Sequence, residues 1–222
     1  MDNLISHTIE RTFSLQNIAE LTGASRRSVQ GWAARRNRAS GGLPGSASQT
    51  FSWSHLMEVA IGSALVDVGL PSRDAFTYAG SFAHVSRRTI KPRQVGRKMG
   101  VPCHHLYGDT LFAVGAGPTC EVVGPSKAVQ NQFEEVSHHL GGIRGFVLIN
   151  ASAIFNKICF RLSVGPHELL DALYPAEAER YRAADSVPTI HAPGFVRECA
   201  SDQTGYSVTR SKSANGQAIR SE

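Results

Sequence analysis

Apolar residues along the first eighty-five positions recur at helical spacing, in four bursts separated by polar or glycine-containing breaks. Leu15, Ile18, Ala19 and Leu21 predict a short first helix that Ser14 can cap. Thr22-Gly23-Ala24-Ser25 interrupts it: Gly23 can take the positive φ of a tight turn, and Ser25 can cap the next helix. There Val29, Trp32 and Ala33 fall at i, i+3 and i+4 and face inward, which leaves Arg26, Arg27, Ser28 and Gln30 outward. Met57, Ala60, Ile61, Ala64, Leu65 and Val68 form one continuous stripe on a third helix, capped by Ser54 and closed by Gly69 before Leu70-Pro71. Ser72 opens a fourth helix, whose inner side is Ala75, Phe76, Ala79, Phe82 and Ala83.

Between the second and third helices, Ala39–Gln49 is too rich in Gly, Ser and Pro for a core element, and the β-prone Thr50-Phe51-Ser52-Trp53 follows. A pliant tip between two short edges, directly after an arginine-bearing helix, is the layout of a wing. Guanidinium and amide forks at the start of that helix suit the hydrogen-bonding edges of bases in a major groove, Arg with guanine and Gln with adenine. Arg35, Arg36 and Arg38 follow where phosphates would lie.

Beyond residue 85 the pattern changes. Val85–Met99 is basic and broken by Pro92 and Gly96, and reads as a helix end plus linker. Thr110–Val114 and Thr119–Val123 alternate as strands around a Gly115–Pro118 turn. Ala128–His139 predicts a short helix and Phe146–Ile149 a buried strand. Asn150 caps a helix bearing Ile154, Ile158 and Leu162, and Pro166–Ala184 predicts one polar helix with Leu169, Leu170, Leu173 and Tyr174 as its apolar patch. The expected fold is mainly α with a small α+β part. Its expected divisions are a winged helix-turn-helix over 1–90, a basic linker over 91–102 and a small α+β domain over 103–184. The tail, 185–222, is poor in periodic apolar residues and is expected to be disordered.

Charge sharpens this picture. Residues 1–100 carry 13 Lys and Arg against 6 Asp and Glu, a net of +7, whereas the remainder carries 10 against 12, a net of −2. The excess of cations lies with the arginine-bearing helix, as a polyanion partner requires. No run approaches the roughly 18 apolar residues of a membrane span, so the expectation is a cytoplasmic chain without membrane contact. Cys103, Cys120, Cys159 and Cys199 stand singly, which suits reduced thiols.

The string Phe13–Trp32, with Ile18-Ala19, Leu21-Thr22-Gly23 and Ser25-x-Arg27-Ser28-Val29, resembles the DNA-binding segment of MerR-family transcription regulators. So does the order helix-turn-helix, wing, then a helix opening at Trp53-Ser54-x-Leu56; the likeness covers residues 10–85. It implies a winged fold on duplex DNA, with Arg27 and Ser28 at the groove-facing start of the recognition helix and Leu43–Phe51 as the wing. It also implies RNA polymerase as a second partner, a homodimer, and a bacterial or phage regulator without enzymatic activity or cofactor. Gly31-Trp32 stands where the family commonly has two aromatics, and no heptad helix follows to make its usual coiled coil.

Two alternatives remain beside it: an architectural DNA binder of excisionase type, and a metal- or ligand-responsive regulator. Cys103-His104-His105, Cys120, His138-His139 and Cys159 supply zinc-ligand types, but without the paired spacing that zinc sites show. No catalytic constellation is visible; Glu134-Glu135 are neighbours that diverge on a helix, and no Walker loop or H-E-x-x-H occurs.

Overall fold

Ser14 accepts the Asn17 N–H and Asn17 reaches back to the Ser14 N–H, so the first helix, α1 (Leu15–Thr22), begins in a reciprocal cap. It ends at Gly23, whose φ of 78° and N–H bond to Ala19 O turn the chain. α2 (Arg26–Ala39) starts where Ser25 Oγ accepts the Ser28 N–H. In the computed structural model of the chain, the described residues are 7–39, 50–86, 96–115, 119–124, 136–138, 140 and 145–185.

α3 (Trp53–Asp67) packs against more than one neighbouring element within the unit Met1–Val187. The predicted cap at Ser54 is corrected to Ser52, because His55 Nδ1 reaches back to the Ser52 N–H at 3.0 Å and completes the cap two residues earlier. The single apolar stripe is also too narrow a description. Leu56, Val59 and Glu58 are buried as well, because α1, α4 (Ser72–His84), a later helix (Ala151–Arg161) and a strand all pack around α3. Its end matches expectation: Gly69 has φ 99°, its N–H bonds Val66 O, and Leu70 N–H bonds Leu65 O. α4 buries the five residues expected of it.

A three-stranded antiparallel sheet follows in the order β2-β1-β3, from β1 (Asp109–Val114), β2 (Thr119–Gly124) and β3 (Val147–Asn150). Phe112 on β1 stands opposite Glu121 on β2 and Ile149 on β3. β3 was expected to be buried, yet only Ile149 is; Leu148 points outward at the sheet's margin. Asn150 caps α5 (Ala151–Arg161) through Ala153 N–H, as expected. The single helix predicted over 166–184 is instead two, α6 (Pro166–Leu173) and α7 (Pro175–Asp185), because Pro175 cannot donate within a continuous helix.

Among the described residues the chain is therefore mainly helical, with one small sheet. Phe13, Trp32, Trp53 and Phe82 share a single hydrophobic core with Phe112, Phe155, Leu169 and Tyr174. Segments 1–90 and 103–184 thus meet in one core, and both fall within one unit, Met1–Val187. Trp53 stitches them: its ring lies edge-on to Phe155 at 5.7 Å and its Nε1–H donates to Gly100 O at 2.8 Å. Arg97, expected in an open linker, is buried. Its guanidinium forks onto Glu121, donates to Val85 O and Lys98 O, and stacks 4.0 Å over Phe82. The wing tip (40–49), most of the helix predicted over 128–139 and the tail beyond 185 lie outside the described residues.

Candidate nucleic-acid interface

The turn that aims α2 is fixed from both sides. Thr22 Oγ1 donates to Ile18 O and accepts the Ala24 N–H, so the two residues around Gly23 are bonded to the end of α1. Arg161, from α5, donates through Nη1 to Glu20 O at 3.0 Å and Leu21 O at 2.8 Å. A cation placed on the last carbonyls of a helix satisfies orphan acceptors and opposes the negative end of the helix dipole.

Beyond the turn, Val29, Trp32 and Ala33 are buried, as the spacing predicts. Arg26, Arg27, Ser28 and Gln30 are exposed on the opposite side, and α2 contains no acidic residue. The Ser28 hydroxyl is 2.8 Å from Ser25 Oγ, so it belongs partly to the cap. Phe13 and Phe51 exchange backbone hydrogen bonds of 2.8 and 2.9 Å, which brings the chain after the predicted wing back beside the strand residue that precedes α1.

The expected phosphate-facing arginines separate. Arg35 is exposed, with its guanidinium 5.5 Å over the Phe76 ring. The Arg38 side chain lies outside the described residues. Arg36 has an inward role: its Nη1 donates to Glu58 Oε2 at 2.9 Å and lies 3.4 Å from His84 Nε2. Glu58 also takes the Trp32 indole N–H at 2.7 Å and His84 Nε2 at 2.8 Å. Burial pushes the Glu58 carboxyl up, but its bonds to His84 and Trp32, with the charges of His84 and Arg36, outweigh this and hold it below the usual range. Three groups from two helices, Arg36 and Trp32 of α2 and His84 of α4, thus converge on one carboxylate of α3 and set where α2 lies.

Glu58 and Arg161 were missed in sequence. Glu58 had a signal, as the lone charge inside the apolar run Leu56–Leu65. Arg161 had none, because its carbonyl partners are about 140 residues away in the chain.

A second cluster gathers around Asp171 on α6. His104, His105 and Asp171 each bring a ligand-type atom within 4.8 Å of the others. Leu106 N–H donates to His104 Nδ1 at 3.1 Å, which puts the neutral ring's proton on Nε2; that nitrogen donates to Asp171 Oδ1 at 2.8 Å. A protonated nitrogen has no lone pair for a metal, so this arrangement ties the segment before β1 to α6. His105 stacks on His167 at 4.3 Å, and burial, helped by His104 and His167, lowers it to about 4. Cys103 and Cys159 are free and buried, and burial pushes both thiols up to about 12, far from reactive thiolates.

No model of a known protein family matches the chain, and no curated protein sequence matches it either.

Proposed function

We propose that this protein is a sequence-specific regulator that binds duplex DNA through α2, in the manner of a MerR-like winged helix-turn-helix. The observation that carries the reading is the asymmetry of α2. One side is locked into the core through Val29, Trp32 and Ala33, while Arg26, Arg27 and Gln30 stand exposed at its first turns with no acid on the helix. Rigid placement of forked donors at a helix start is what base-edge recognition needs. The capped turn and the Phe13–Phe51 pairing support the same layout. Arg26, Arg27, Ser28 and Gln30 read bases, and Arg35 and Arg38 take phosphates. Arg36 contributes by holding α2 to Glu58.

Selection of bound sequences from a random duplex pool tests this reading. The expected result is an enriched motif, lost when Arg26 and Arg27 are replaced by Gln. Recovery of no motif, or of the same motif with the double variant, would overturn it. A circular-permutation gel on the selected site then separates a regulator from an architectural protein that bends its DNA.

A further inference from the structure

The outer face of α5 is formed by Ala153, Lys157, Phe160 and Arg161, all exposed, at the i, i+4, i+7, i+8 spacing of one helical side. Phe160 is 68% exposed, more than any other large apolar residue described. α5 contains no Asp or Glu, so this face carries two cations and an open aromatic ring without a compensating charge from its own helix. It is also contiguous with the helix-turn-helix. Arg161 Nη1 rests on Glu20 O and Leu21 O, and lies 3.5 Å from where a Cβ on Gly23 would sit, three residues before Arg26. Both bonds to α1 use Nη1. The acid of α1, Glu20, has its carboxylate taken by the Gln16 amide.

We propose that this face is a second contact strip for the duplex, in which Lys157 and Arg161 meet backbone phosphates flanking the site read by α2, and Phe160 packs on the sugar edge between them. The inference rests on the reading of α2 above and extends it to a part of the chain, beyond residue 150, that the basic first hundred residues do not include. Charge complementarity selects the partner: two exposed cations on a face that adjoins the turn leading into Arg26 and Arg27 favour a polyanion, and a second copy of the same strip would repel it. Contacts of this kind add affinity without base preference.

The test uses the full chain on one selected duplex, with flanks of ten base pairs or none, in a salt titration of binding. Lys157→Gln is the primary variant, because Lys157 makes no cap and its loss leaves α1 intact; Lys157→Glu amplifies the effect. On the long duplex, Lys157→Gln is expected to weaken binding by roughly twofold to fivefold for all sequences alike, and to flatten the salt slope by about one. On the duplex without flanks it should match wild type. Arg26→Gln/Arg27→Gln is the control for the parent reading: if it binds like wild type, that reading fails. If it weakens binding while Lys157→Gln and Lys157→Glu behave like wild type on both duplexes, the strip alone is refuted. Sedimentation of Phe160→Ser checks the competing occupant. An unchanged oligomeric state is expected, and a shift to a smaller species with unaltered DNA affinity would assign this face to a second copy instead.

Discussion

Arg36 Nη1 lies 2.9 Å from Glu58 Oε2, and the other oxygen of that carboxylate takes the Trp32 indole N–H at 2.7 Å. Two residues of α2, one turn apart, are therefore pinned to a single buried acid on α3. The orientation of the exposed arginines is set by this pin as much as by the apolar side of the helix. Replacing Glu58 by Ala strands a buried indole N–H and should cost about 1–3 kcal/mol, read as a lowered midpoint in urea with an unchanged slope. Arg36→Ala should likewise lower stability, and any loss of DNA binding should be recovered where the folded population is restored at lower temperature. An Arg36→Ala variant of wild-type stability would show that the pin is idle.

Acid should loosen the fold in a defined window. Burial, reinforced by the Arg36 and His84 charges, lowers His55 from the ordinary 6.5 to about 4, and His105 is lowered to a similar value by burial and its histidine neighbours. The unfolded chain therefore binds these protons more readily than the folded one, so their contribution is complete above 6.5 and is lost as pH falls toward 4. Glu58, held below its usual range, adds to the loss as its own carboxylate is protonated. Denaturant midpoints measured from pH 7.5 to 4 should decline, most steeply below 6.5, and His55→Gln should flatten part of that decline. A flat profile across the window would contradict this assignment.

Gly62 of α3 lies directly against the Phe76 ring of α4. A Cβ there would meet the Phe76 ring at 2.5 and 2.6 Å, and a buried ring has little room to retreat. Gly62→Ala gains helix propensity but forces this contact apart, for a net loss of about 1–3 kcal/mol. Gly80, whose Cβ would meet nothing within 4 Å, serves as the control: Gly80→Ala should be neutral or stabilising in the same thermal melt.

Arg97 and Glu121 form a forked pair sealed from solvent, with further Arg97 bonds to Val85 O and Lys98 O. Removing one partner leaves an uncompensated buried charge, so Glu121→Ala should cost about 3–5 kcal/mol. Arg97→Met/Glu121→Leu should recover much of it, because both charges then leave the interior together. A double variant no better than the single one would show that the pair is needed for the fold to form at all.

What could be read from the sequence was whatever rests on neighbours in the chain. The Ser14 cap, the positive φ of Gly23 and Gly69, the inward Val29, Trp32 and Ala33, the hairpin over 110–123 and the Asn150 cap are each decided within a few residues. Long-range packing was not legible. The helices around α3 bury it on nearly every side, which a stripe of six residues does not announce. Arg97 looked like one more cation in a basic segment because its acid stands on a strand 24 residues later. The candidate site divided in the same way. Arg26, Arg27, Ser28 and Gln30 are exposed as their helical positions dictate, whereas the inward turn of Arg36 depends on a carboxylate 22 residues away. Three local signals were overlooked: Pro175, since a proline within a predicted helix already marks its boundary, the lone charge of Glu58 in an apolar run, and His55 three residues after Ser52.

Whether the start of α2 touches bases is measured directly by an anisotropy titration of the full chain on a selected duplex, against a scrambled one. Arg27→Ala should weaken binding to the selected duplex by the equivalent of about 1–3 kcal/mol and narrow the preference over the scrambled one. If wild-type protein binds neither duplex at low ionic strength, or Arg27→Ala leaves both affinities and their salt dependence unchanged, α2 is not a DNA-reading helix.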